Sequence, residues 1–169
     1  MVHIITGDGK GKTCSAIGMA VRGLGRGMKV LLIQFLKPQA GSGEILYLKS
    51  ESRFACLNFG IASFVNRSRL LPEDIRLASQ GLEAAEKAVR SDEWDMVILD
   101  EVLLAADFGL VSVDRVLRMV EEKSGAVELV LTGRNAPAAL IEKADLVSEI
   151  RPVKHPYWNG IQAREGIEF

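Results

Sequence analysis

"VHIITGDGKGKTCSAIGMAV", residues 2–21, runs from a short apolar stretch through a turn with three glycines and two lysines into a small-residue segment of helical character. A buried strand that ends in a glycine-rich turn and opens a helix points successive backbone N–H groups inward. The positive end of the helix dipole adds its field there, so the natural ligand is phosphate. Gly7, Gly9 and Gly11 permit close backbone approach, Lys12 supplies a cation, and the Thr13 hydroxyl suits Mg2+. The usual phosphate-loop pattern asks for a glycine where Thr6 stands, and here Gly7 is displaced from it by one position. The alternative is a glycine-rich turn with surface lysines; the succession of strand, loop, "GKT" and helix weighs against it.

Outward from this stretch the chain alternates. Val2 to Thr6, Lys29 to Phe35, Phe54 to Phe59, Asp95 to Asp100, Val127 to Thr132 and Leu146 to Ile150 are short runs rich in branched residues. Several are apolar on both faces, as strands covered by helices on each side are. Helices are expected over Thr13 to Leu24, Pro72 to Arg90, Ser112 to Glu122 and Pro137 to Lys143. Pro72 suits a first helical turn, and Glu73 and Asp74 suit the positive end of the dipole. The alternation predicts an α/β fold, a mostly parallel sheet flanked by helices; with the glycine-rich loop opening the first helix it is expected to be of the P-loop NTPase-like (RecA-like) kind. Residues 1–169 are expected to form one domain. "KPQAGSG", Lys37 to Gly43, reads as a loop, and Arg151 to Phe169 has little periodicity.

Composition narrows the partners. Lysine plus arginine (21) nearly balances aspartate plus glutamate (22), which argues against a nucleic-acid or membrane surface driven by net charge and favours small molecules. Cys14 and Cys56 fit no metal spacing and are expected to be buried thiols in a reducing compartment. No apolar run is long enough to span a bilayer and no signal peptide is recognisable, so the expected location is the cytoplasm.

"MVILDE", Met96 to Glu101, places two carboxylates at the carboxyl end of a strand, where a phosphate-loop protein carries the acidic residue that faces the metal. Alone, "DE" after an apolar run is a solvated strand end; beside the loop, Asp100 and Glu101 are candidate Mg2+ ligands with Thr13. Spacing does not decide between them, because adjacent side chains of a strand point to opposite faces.

"GDGKGKT", "LIQFLK", "VILDE" and the tail "LTGRNAPAALIEKADLVSEIRPVKHPYWNGIQAREGIEF" together resemble the P-loop corrinoid adenosyltransferases acting on cob(I)alamin and cob(I)yrinic acid a,c-diamide. The resemblance runs nearly end to end, and the family's loop carries the same displaced glycine. It implies transfer of the 5′-deoxyadenosyl group of ATP to Co(I) of a reduced corrinoid, with inorganic triphosphate as leaving group. Such a substitution at C5′ needs charge neutralisation and alignment and no general base.

Position by position, the resemblance implies that Gly7, Asp8, Gly9, Lys10, Gly11, Lys12, Thr13 and Cys14 wrap the triphosphate, with Lys10 and Lys12 as counter-charges. It implies that Thr13 and Glu101 hold Mg2+, that Arg22 reaches phosphate, that Lys37 and Glu44 lie near the nucleoside, and that Arg134 and Asn135 line the cleft. A homodimer, a corrinoid reductase as partner, and a role in adenosylcobalamin biosynthesis or salvage are further implications. Asp8 stands where the family commonly has asparagine, and Cys14 replaces a second threonine. Since the chain starts almost at its first strand, it is expected to lack the N-terminal extension that the resemblance implies helps cover the corrinoid. "NFGIASFVNRSR", Asn58 to Arg69, replaces an aromatic "GFTW" segment against the corrin, leaving Phe59 or Phe64 as substitutes. Two other functions share the loop and "DE": a phosphotransferase or ATPase, and an ATP-binding module without catalysis.

Overall fold

The computed structural model describes residues 1–38, 42–61 and 65–168. Six strands, β1 (Val2–Thr6), β2 (Val30–Phe35), β3 (Phe54–Phe59), β4 (Met96–Asp100), β5 (Glu128–Thr132) and β6 (Leu146–Glu149), form one sheet in the order β3-β2-β4-β5-β1-β6. Every pairing is parallel. All six expected strands are present within a residue at each end, and the sheet is more uniformly parallel than expected.

The expected helices form as α1 (Lys12–Leu24), α3 (Pro72–Arg90), α5 (Val113–Glu122) and α6 (Ala138–Lys143); α2 (Gly43–Leu48) and α4 (Val102–Asp107) are additional. Both additions are six residues long, too short to display a helical period. Pro72 opens α3, and the Asp74 carboxylate accepts from Leu71 N at 3.0 Å. Among the described residues no helix is long and apolar enough to cross a membrane.

Strand parity divides the core. Leu31, Ile33, Phe35, Val97, Leu99, Leu129 and Leu131 pack with α3, α4, α5 and α6 on one face. Val30, Leu32, Met96, Ile98 and Val130 pack with Ala16, Ile17 and Ala20 of α1 on the other. Continuing that second parity to the carboxyl ends of the strands reaches Gln34, Asn58, Asp100 and Thr132. Register sets Gln34 level with both Asn58 and Asp100. Four polar residues are thus brought to the sheet end where α1 begins.

Candidate active site

Between β1 and α1, Gly7 takes φ 98° and Gly11 φ 122°, conformations that favour glycine. A Cβ on Gly7 would lie 2.4 Å from Ile150 O, and one on Gly9 2.8 Å from the same atom. Gly9 N donates to that carbonyl at 2.8 Å. The close neighbour that requires these two glycines is therefore the end of β6, a constraint invisible in the loop's own sequence.

Lys12 is buried, and its Nζ donates to Gly7 O at 2.7 Å and Gly9 O at 2.9 Å, spanning the loop from within. Burial lowers its ammonium pKa, with the Glu101 carboxylate opposing. Lys10 points elsewhere: its Nζ donates to Ile167 O at 2.9 Å and Glu168 Oε1 at 2.8 Å, drawing the C-terminal segment over the loop. Bonds from Arg164 and then Lys10 bring the Glu168 carboxyl down to about 2.

Asp100 is fully buried and every lone pair is used. Its Oδ1 accepts from Thr13 Oγ1 at 2.9 Å and Thr132 Oγ1 at 2.7 Å; its Oδ2 accepts from Gln34 Nε2 at 3.0 Å and Lys37 Nζ at 2.6 Å. Burial by itself would raise this carboxyl, but the Lys37 ammonium and the hydrogen bonds outweigh it and hold the pKa below the ordinary range. Lys37 also donates to Thr13 Oγ1 at 3.1 Å. Behind them Asn58 Nδ2 donates to Gln34 Oε1 at 2.9 Å and to Pro38 O at 3.3 Å. Gln34, Asn58 and Thr132 escaped the sequence reading; their signal is the shared parity of strand-end positions.

Glu101 differs from its neighbour. It has φ 62°, caps the start of α4, and donates its N–H to Thr132 Oγ1 at 3.0 Å. Its Oε2 is buried with no hydrogen-bond partner among the described residues. Burial, then the charge of Asp100, raises its pKa.

Two cavities meet here. One, of about 290 Å3, is lined by the loop from Asp8 to Cys14 with Glu101, Arg134, His155 and Glu168. The other, of about 560 Å3, is lined by Gln34, Lys37 and Glu44 among others, and shares Thr13, Cys14 and Glu168 with the first. The loop, both carboxylates, Lys37, Glu44 and Arg134 are therefore gathered at one place.

Other expectations need correction. Cys14 is exposed and Cys56 half-buried, so the two are not a pair of buried thiols; burial pushes the Cys56 thiol up to about 11. Arg22 is not brought to the loop. It lines a separate depression with His3 and Glu128 at the opposite end of the sheet, because nine positions carry α1 roughly 13 Å along its axis. Asp8 meets a cation, its carboxylate lying 3.9 Å from Arg134 Nε. Asn135 donates to Asp107 Oδ2 at 3.0 Å. Phe59 packs into the core against Gly81; Phe64 and positions 39–41 of the "KPQAGSG" loop lie outside the described residues.

Residues 1–169 match the family model described as ATP:corrinoid adenosyltransferase BtuR/CobO/CobP. The chain is similar to a corrinoid adenosyltransferase of Pseudomonas aeruginosa, 35% identical over 169 residues that cover 100% of this chain and 82% of that protein. It is 34% identical over 171 residues to one from a Sinorhizobium species, covering 100% of this chain and 80% of the relative. The corresponding figures for Escherichia coli K12 are 31% over 170 residues, 100% and 85%.

Proposed function

Since the chain belongs to the ATP:corrinoid adenosyltransferases BtuR/CobO/CobP, we propose that it moves the 5′-deoxyadenosyl group of ATP onto the cobalt of a reduced corrinoid and releases triphosphate. As a family member it is a transferase that uses ATP to adenosylate corrinoids. The observation that carries the site assignment is the Thr13 hydroxyl, bonded to Asp100 and Lys37 where the two cavities join.

In this reading the smaller cavity takes the triphosphate and the larger the nucleoside, beside Lys37 and Glu44. The N–H groups of the loop and Lys12 hold the phosphates, with Arg134 adding positive charge at the rim. Thr13 and Glu101 offer hard oxygen donors, and among the described residues nothing partners the buried Glu101 Oε2; this donor set, with Asp100 behind the Thr13 hydroxyl, fits Mg2+. The ion would take its remaining ligands from water and, with nucleotide bound, from phosphate. Mg2+, when bound, neutralises charge on the departing triphosphate. Glu101 would face the ion, while Asp100, with its lone pairs occupied, orients the Thr13 hydroxyl. The chain's own tasks are to hold C5′ in line with the cobalt and to stabilise the leaving group, both electrostatic and positional. A reductase partner and a homodimer rest on the family resemblance alone.

Incubation with ATP, Mg2+ and a chemically reduced corrinoid without oxygen should yield a light-sensitive cobalt–carbon product and triphosphate in equal amounts. Phosphorus NMR reads the outcome: ADP with phosphate would favour a phosphotransferase, and unchanged ATP beside reduced corrinoid a binding module.

A further inference from the structure

Lys37 sits at the end of β2 with its ammonium on both Thr13 Oγ1 and Asp100 Oδ2, at 3.1 and 2.6 Å. We infer that Lys37 is an internal counter-ion of the Thr13–Asp100 pair that a divalent cation must expel, so that metal loading and release of Lys37 into the nucleoside cavity are a single exchange. The inference rests on the metal reading of Thr13 proposed above.

The chemistry of the Thr13 hydroxyl supplies the argument. Its proton goes to Asp100, and of its remaining acceptor capacity one share already belongs to Lys37. A divalent ion ligated by that oxygen would face an ammonium held on the same atom, and two cations at such separation repel strongly in a partly buried site. One group must leave. Gln34 and Thr132 are buried and fixed by the sheet, whereas the Lys37 side chain is 36% exposed and flexible. Its exit is open, because Lys37 itself lines the 560 Å3 cavity. Departure also frees Asp100 Oδ2 to accept from a metal-bound water, so the buried carboxylate keeps a cationic neighbour throughout. The hold on Lys37 is built in: Asn58 donates to Pro38 O, tying the backbone next to Lys37 to the same network that reaches Asp100 through Gln34. Asn58 thereby holds the backbone beside Lys37 in place.

Binding of Mn2+ to the nucleotide-free protein, read by the loss of its free-ion EPR signal, tests the exchange. Lys37→Gln should tighten Mn2+ binding by about tenfold or more, since the metal no longer breaks a charge-assisted contact. Lys37→Arg should keep the weaker, wild-type affinity. Because Lys37→Gln leaves a buried carboxylate without its cation and can compromise folding, the wild-type protein provides a second readout. Acylation of Lys37, followed by peptide mass spectrometry, should accelerate several-fold on saturation with Mg2+, while acylation of the exposed Lys49 stays constant. Unchanged Mn2+ affinity in folded Lys37→Gln, or an unchanged Lys37 acylation rate, would overturn the inference and leave the metal reading standing. If Thr13→Val binds Mn2+ in its ATP complex as well as wild type does, the metal reading itself fails and the exchange with it.

Discussion

Lys12 reaches across its own loop to two carbonyls, so its ammonium is already placed at the floor of the smaller cavity. Lys12→Ala should weaken ATP binding by about tenfold to a hundredfold, the range for a charge-assisted contact. Calorimetric titration checks this, and an unaltered affinity would remove the phosphate role. Glu101 poses a different problem, because burial and Asp100 both disfavour its anion. Its folded pKa lies above the ordinary 4.5, so the stability it contributes is present below that value and lost as pH rises through the folded pKa. Glu101→Gln should therefore be more stable than wild type at neutral pH, and the gap should close as pH falls toward 4.5. Urea unfolding across this range measures it; a constant gap would mean that Glu101 is not charged against its surroundings.

Elements explain why these residues meet. α1 starts at the loop and carries small residues, Ala16 and Ala20, against the strands, which lets it lie close over the sheet. Gly18 differs: it is exposed on α1, and among the described residues an added Cβ would meet nothing within 4 Å. Gly18→Ala should stabilise the protein by about 0.5–1 kcal/mol through helix propensity. Denaturant titration reads the midpoint, and a loss of stability would place an unseen neighbour on that face. β5 and α4 approach closely at Gly133, where a Cβ would stand 2.7 Å from Leu104 N; this contact seats α4 behind Glu101.

Across the whole molecule, the C-terminal segment returns over the phosphate loop and puts the Glu168 carboxylate on the lining of both cavities. An anion there opposes a polyphosphate and occupies Lys10. Glu168→Gln should tighten ATP binding roughly two- to fivefold at low salt, the scale of an exposed ion pair, with the gain fading as salt rises. Calorimetry at two ionic strengths decides it, and an affinity independent of both substitution and salt would leave the segment a passive cover. The α/β class, six strands, four of the helices and the glycine-rich turn before α1 are legible along the chain, because hydrophobic periodicity, proline at a helix start and glycine-rich turns are local properties. The full-length family match accords with that reading. Which side chains share the site is set by how the distant segments pack. Asp100 and Glu101 are adjacent in sequence and both touch Thr132 Oγ1, yet their carboxylates part, since strand parity turns Asp100 toward Thr13 and a left-handed backbone redirects Glu101. Arg22 belongs to the same helix as Thr13 and ends at the far side of the sheet, while Gln34, Asn58 and Thr132 arrive from three strands. Strand order and register make these meetings, and both depend on packing between segments distant along the chain, which local pattern does not encode.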